Sequence, residues 1–287
     1  MSAVTTILSI QSSVAYGHVG NSAATFPLMR MGVEVWPVLT VHFSNHTGYG
    51  QWRGPLLTAD DVKDVITGID ERGVMPRCDA VLSGYQGAED VGLAILEAVT
   101  LVKSRNPAAI YCCDPVMGDV GRGFFVRPGI PELMRDRVVP AAQIITPNQF
   151  ELEFLTGRTT TTTEDVLTAA DAARRLGPET VLVTSVVHET ATPESIDMVA
   201  VTGDGAWSVT TPLLPRTFTG AGDLTAATFL ASMLRTGEVP TALAATADVV
   251  YGVLRATVDS GQAELQLVAA QEEIVHPSQR FEVTRLR

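Results

Sequence analysis

Short, almost uninterrupted apolar runs at residues 5–10, 33–41, 80–82, 109–113, 143–146 and 180–184 alternate with stretches of helical period at 59–71, 90–104 and 164–176. A strand with one wet face alternates apolar and polar residues, whereas one covered on both faces is apolar throughout. Such runs, separated by helices, predict βαβ units around a mainly parallel sheet, an α/β fold. Thr58 with Asp61 and Thr163 with Asp165 supply N-cap chemistry, and Gly73, Gly157 and Gly177 stand where helices should stop. Asp204-Gly205, between apolar runs at 198–203 and 206–212, predicts a small antiparallel hairpin with a type I′ turn. The chain then turns helical at 221–236 and 239–260. No linker divides it, so residues 1–287 read as a single domain.

A net charge of −12 excludes a nucleic-acid partner, which a chain this acidic would repel. It leaves room for ATP, whose phosphates backbone amides and a divalent ion can neutralise locally. No basic stretch followed by a long apolar run opens the chain, and no apolar run approaches bilayer length, so neither a signal peptide nor a membrane span is expected. Cys78, Cys112 and Cys113 lack metal-ligand spacing and read as reduced core thiols, as in a cytoplasmic protein.

Thr219-Gly220-Ala221-Gly222-Asp223, followed by an apolar helical run, is the strongest local signal for chemistry. Glycines at a helix mouth leave unpaired amides pointing outward, and with the helix dipole these form a site for a phosphoryl group. Asp223 falls in the first turn, where its carboxylate can take a proton from an attacking hydroxyl. The same string also fits a tight turn with an acid that favours the helix dipole, and taken alone it leaves both readings open. A P-loop is missing, and Thr225 stands where a dinucleotide fingerprint needs Gly or Ala.

Other segments give that string meaning. They are Ser12 with Tyr16-Gly17-His18-Val19-Gly20-Asn21-Ser22, Phe43-Ser44-Asn45-His46-Thr47, Ser83-Gly84-Tyr85, Cys113-Asp114-Pro115-Val116-Met117-Gly118-Asp119 and Ile145-Thr146-Pro147-Asn148-Gln149-Phe150-Glu151. In this order, over nearly the whole chain, they resemble the pyridoxal kinases, a branch of the ribokinase-like superfamily. The resemblance implies a three-layer αβα sandwich and transfer of phosphate from ATP to the 5′-hydroxymethyl group of a vitamin B6 vitamer. The Gly-Ala-Gly-Asp string is common to the superfamily; the segments at Ser12, His46-Thr47 and Tyr85 point to the pyridoxal branch.

The resemblance further implies roles for particular residues. Asp223 would be the base, with Gly220, Ala221 and Gly222 as the anion hole. Ser12 would bond the pyridine ring, and Val19, His46, Thr47 and Tyr85 would line its pocket. Asp114 would face the phosphates and metal, Glu151 would lie near Mg²⁺–ATP, and Asp119, Thr146 and Thr184 would lie near a monovalent cation such as K⁺. Thr184 and Ser185 would contact ATP. Residues 117–127 would form a flap, with Phe124 and Phe125 capping the site against water. Expected cofactors are ATP, Mg²⁺ or another divalent ion, and K⁺; the expected assembly is a homodimer.

The chain also departs from its relatives. Thr184 stands where some carry lysine, which removes a charge from the phosphates, and Gly48 stands where some carry glutamine. Rival readings are a hydroxymethylpyrimidine or sugar kinase of the same superfamily, or a vitamer-binding protein without catalysis.

Overall fold

The computed structural model describes residues 4–187 and 194–287. Its frame is a nine-stranded sheet in the order β11-β10-β9-β8-β7-β4-β3-β1-β2. The parallel part comprises β1 (Thr6–Val14), β2 (Glu34–Phe43), β3 (Ala80–Ser83), β4 (Ile110–Cys113), β7 (Ile144–Ile145) and β8 (Thr180–Val186). Antiparallel β9 (Ser195–Val201), β10 (Ala206–Pro212) and β11 (Val283–Arg285) extend one edge. A separate two-stranded hairpin, β5 (Gly118–Asp119) with β6 (Gly123–Phe124), stands off the sheet.

The apolar runs are continuous because successive residues enter different cores. In β8, Val181 and Val183 join one hydrophobic cluster and Leu182 joins the other. In β4, Cys113 and Cys112 divide in the same way. The first cluster is covered by α2 (Ala59–Glu71), α3 (Glu89–Arg105), α6 (Gln149–Thr156) and α7 (Thr163–Arg174). Between α3 and α6, α4 (Ile130–Leu133) runs through a π-helical turn at Met134–Val138 into α5 (Val139–Ala141). The second cluster is covered by α1 (Asn21–Arg30), α8 (Ala221–Thr236) and α9 (Val239–Ser260), and α10 (Gln271–Val275) packs on α9. The result is the three-layer αβα sandwich. The six parallel strands all point their carboxyl ends to one side, and α/β sheets bind ligands on that side.

Local chemistry explains the helix limits. Thr58 and Asp61 form a reciprocal capping box on α2, and a Thr58→Ala change costs about 1 kcal/mol. α2 then buries Val62 and Ile66, each worth about 1.5–3 kcal/mol. On α7 the cap is Thr162, bonded to Asp165, and not Thr163; the extended backbone lies one residue earlier than the spacing suggested. Gly157 closes α6 in the left-handed conformation.

Several other expectations also need correction. No residue of the β9–β10 turn has positive φ, so the turn is not type I′; the Thr202 hydroxyl accepts from the Asp204 amide instead. Strand β1 runs past the apolar stretch at 5–10 to Val14 through a bulge, in which Ser12 lies opposite Thr40 and Val41 of β2. α9 is long and apolar enough for a bilayer, with mean hydropathy 1.2, although no such run was counted in the sequence. It buries residues such as Ala242, Leu243, Val249 and Val253 within the protein, as a core helix does.

Candidate active site

A single cavity of about 430 Å³ opens over the carboxyl ends of the parallel strands. Its wall includes Ser12 from β1, Val19 from the loop before α1, His46 and Thr47 after β2, and Tyr85 after β3. Asp114 follows β4, Thr146 follows β7, and Glu151 reaches in from α6. Thr184 and Ser185 come from β8, Asp119 and Phe125 from the β5–β6 segment, and Gly220, Ala221, Gly222 and Asp223 from the mouth of α8. The cavity thus gathers every residue that the sequence singled out for the site except Phe124.

Backbone irregularities aim several of these groups. Two bulges interrupt the sheet, one at Ser12 and one at Thr184–Ser185, where β8 sets two residues against Met198. Ser185 has φ of 54°, the only positive value outside glycine among the described residues, and such strain gathers at functional sites. Gly220, the N-cap of α8, has φ of 88°, and a side chain there would overlap the His18 carbonyl. Gly222 differs: the nearest atom to a methyl group there would be Asp114 Oδ2, at 3.9 Å. Glycine at 222 therefore leaves open the space between the helix mouth and the Asp114 carboxylate.

The acids in this space perturb one another. Burial raises the pKa of Asp114 well above the usual range, the Glu151 and Asp223 carboxylates add to it, and the Thr146 hydroxyl, 3.0 Å from Oδ1, opposes it. Burial also raises Glu151, against amide donation from Met117 at 2.8 Å and Asn148 at 2.9 Å. The Asn148 bond makes Glu151 half of the capping box of α6. Asp223 keeps a water-facing side yet is otherwise surrounded by protein, and this desolvation lifts it to about 6. The amides of Gly20 and of Asp223 itself pull it the other way.

These oxygens suit a hard cation, because the Glu151 and Asp223 carboxylates both repel that of Asp114, which calls for a positive counter-charge. Among the described residues, however, no group of three or more His, Cys, Asp or Glu side chains forms a protein cage for a metal.

The segment expected to form a flap folds in part as a small two-stranded hairpin. Phe125 faces the cavity, with the Arg122 guanidinium 5.2 Å from its ring centre. Phe124 does not cap the site: it stands edge-on to Phe150 and Phe154, each 5.1 Å away, and ties the hairpin to α6. The alternating pleat explains the split, since adjacent residues point to opposite sides.

Sequence reading missed Arg122, Asn148 and Phe218, which also line the cavity, and Glu264, which bonds to His46. Arg122 carries a weak signal, a basic residue between two flap glycines. Glu264 carries none, because its partners lie more than 200 positions away in sequence.

The sequence model of the phosphomethylpyrimidine kinase family matches residues 66–267. A pyridoxal kinase from Leifsonia xyli is 58% identical over 280 residues, covering 98% of this chain and 99% of the relative. One from Rubrobacter xylanophilus is 60% identical over 281 residues, covering 98% and 97%. A solved Leishmania donovani pyridoxal kinase, in complex with ADP and pyridoxamine, superposes with a TM-score of 0.92 at 27% identity, covering 99% of this chain and 100% of that one. With its sheet order and its Gly220–Asp223 helix mouth, this chain belongs to the phosphomethylpyrimidine kinase family, in the pyridoxal kinase branch of the ribokinase-like fold.

Proposed function

We propose that this enzyme transfers the γ-phosphoryl group of ATP to the 5′-hydroxymethyl group of pyridoxal, with pyridoxine and pyridoxamine as further acceptors. One observation carries the proposal: Asp223 and the helix mouth of α8 share a single cavity with the ring-sized wall of Val19, Thr47 and Tyr85. A flat heteroaromatic ring wants such a wall and a few directed polar groups, here Ser12 and His46.

In this mechanism Asp223 accepts the proton of the hydroxymethyl group as its oxygen bonds to the γ-phosphorus. The bond from phosphorus to the bridging oxygen breaks, and ADP leaves. First-turn amides at Gly220–Gly222 have no acceptor within the helix and stabilise the charge that develops on the transferring oxygens. A divalent ion such as Mg²⁺ would neutralise the ATP phosphates, beside Asp114 and with Glu151 behind it. Asp119, Thr146 and Thr184 would serve a monovalent ion such as K⁺, and Thr184, Ser185 and Phe125 would face the nucleotide. Phe125 and the 117–127 flap would exclude water, which otherwise competes as acceptor.

Residues 1–287 form one kinase domain in this proposal, with the enzyme a homodimer in the cytoplasm. A single unfolding transition and light scattering would check the domain and the dimer. The name of the matching family supports a second reading, a hydroxymethylpyrimidine kinase. The test is ADP release with pyridoxal, pyridoxine, pyridoxamine, hydroxymethylpyrimidine and ribose. Highest kcat/KM on pyridoxal is expected. Highest kcat/KM on hydroxymethylpyrimidine would establish the second reading, and no release with any acceptor would overturn both.

A further inference from the structure

Glu264 lies between α9 and α10 and is only 8% exposed. Its Oε1 receives Nε2 of His46 at 3.0 Å and the Tyr49 hydroxyl at 2.7 Å, and its Oε2 receives the His18 amide at 3.0 Å. Burial pushes its pKa up, but these donors outweigh burial and hold the carboxyl below its ordinary value. Gly17, with φ of 91°, makes room for it, since a side chain there would overlap the carboxylate.

The segment that carries Glu264 is itself held firmly. Arg216 donates to the carbonyls of Gln262 at 2.7 Å and Ala263 at 2.8 Å. Leu265 and Leu267 are buried with Leu224, Val249 and Val253. Arg216 also directly precedes the cavity-lining run from Thr217 to Gly220. One carboxylate therefore joins the turn bearing His46 and Thr47, the loop leading into α1, and a segment packed against the base of the anion hole.

An ionised carboxylate only accepts, so Nε2 of His46 must carry a hydrogen; in the neutral ring Nδ1 is then a bare acceptor. We infer that Glu264 is a positioning residue for the acceptor pocket. It fixes His46 as the Nε2–H tautomer, holds the 46–49 turn against the site, and so sets affinity for the acceptor without touching it. The identity of that acceptor rests on the function proposed above.

Glu264→Gln keeps the shape but replaces one accepting oxygen with a donor and removes the charge. It is expected to raise KM for pyridoxal about tenfold while kcat and KM for ATP stay within about twofold. In spectra of ¹⁵N-histidine-labelled protein, His46 should be the Nε2–H tautomer in the wild type and lose that form in the variant. Glu264→Asp, which retains the acid, should recover the tautomer and part of the KM. Should Glu264→Gln fail to fold, Tyr49→Phe removes one of the same bonds and should show the same selective rise. Parallel rises for both substrates, an unchanged KM for pyridoxal, or a wild-type Nδ1–H tautomer would overturn the inference. If the wild type does not phosphorylate pyridoxal, the proposed function falls, while the tautomer measurement needs no substrate and still decides the role of Glu264.

Discussion

Gly220 passes beneath the carbonyl of His18 so closely that no side chain fits between them, which locks the mouth of α8 to the loop that opens α1. Gly220→Ala must both accept φ near 88° and displace that carbonyl, so a loss of about 2 kcal/mol or more is expected. Gly222→Ala has room and favours helix, so its thermal midpoint should hold while kcat falls, because the methyl group enters the space beside Asp114. Thermal melts with steady-state kinetics on both variants check this contrast. Equal destabilisation of the two would refute it.

Asp223→Asn retains shape but removes the proposed base. Turnover of pyridoxal should fall by about 10²–10⁴-fold, with the dissociation constant for ADP nearly unchanged. Calorimetric titration with ADP alongside the kinetics separates the two effects. Turnover like that of the wild type would dismiss Asp223 as base.

The pH dependence has a defined sign. As the proposed base Asp223 must be ionised, and its pKa is lifted from 3.8 to about 6, so kcat/KM should fall about tenfold per pH unit below about 6. Stability moves the opposite way. The folded form holds this proton more tightly than the unfolded chain, so the contribution is complete below 3.8 and is lost as pH rises through about 6. Asp114 and Glu151 are raised too and add to the slope. Melts of the nucleotide-free protein from about pH 4 to about pH 8 should show a shallower decline in Asp223→Asn than in the wild type.

The two flap phenylalanines should separate by phenotype. Phe125→Ala opens the cavity wall and should increase ADP release in the absence of any vitamer. Phe124→Ala removes the contacts to Phe150 and Phe154, so it should loosen the hairpin, which proteolysis at 119–123 would report. Identical ATPase rates in wild type and Phe125→Ala would rule out a water-excluding role.

The sequence by itself determined the layers of this protein and the chemical types of its site. A strand covered on both faces must be apolar throughout, a helix on a sheet must carry a 3.6-residue stripe, and both patterns are local. The Gly220–Asp223 string is legible for the same reason, since its amides, dipole and acid lie within one turn. Only the tertiary structure decided how these acids are perturbed, because Asp114, Glu151 and Asp223 come from separate connections, burial raises each of them, and only their approach lets Glu151 and Asp223 act on Asp114. It also decided which flap phenylalanine faces the cavity, a choice made by a hairpin that the glycine-rich sequence leaves open. It alone revealed Glu264, whose bonds to His18, His46 and Tyr49 cross more than 200 residues and leave no local pattern. Gly220 belongs to both: the string marks it as a helix-opening glycine, but only packing shows that the His18 carbonyl leaves no room for a side chain there.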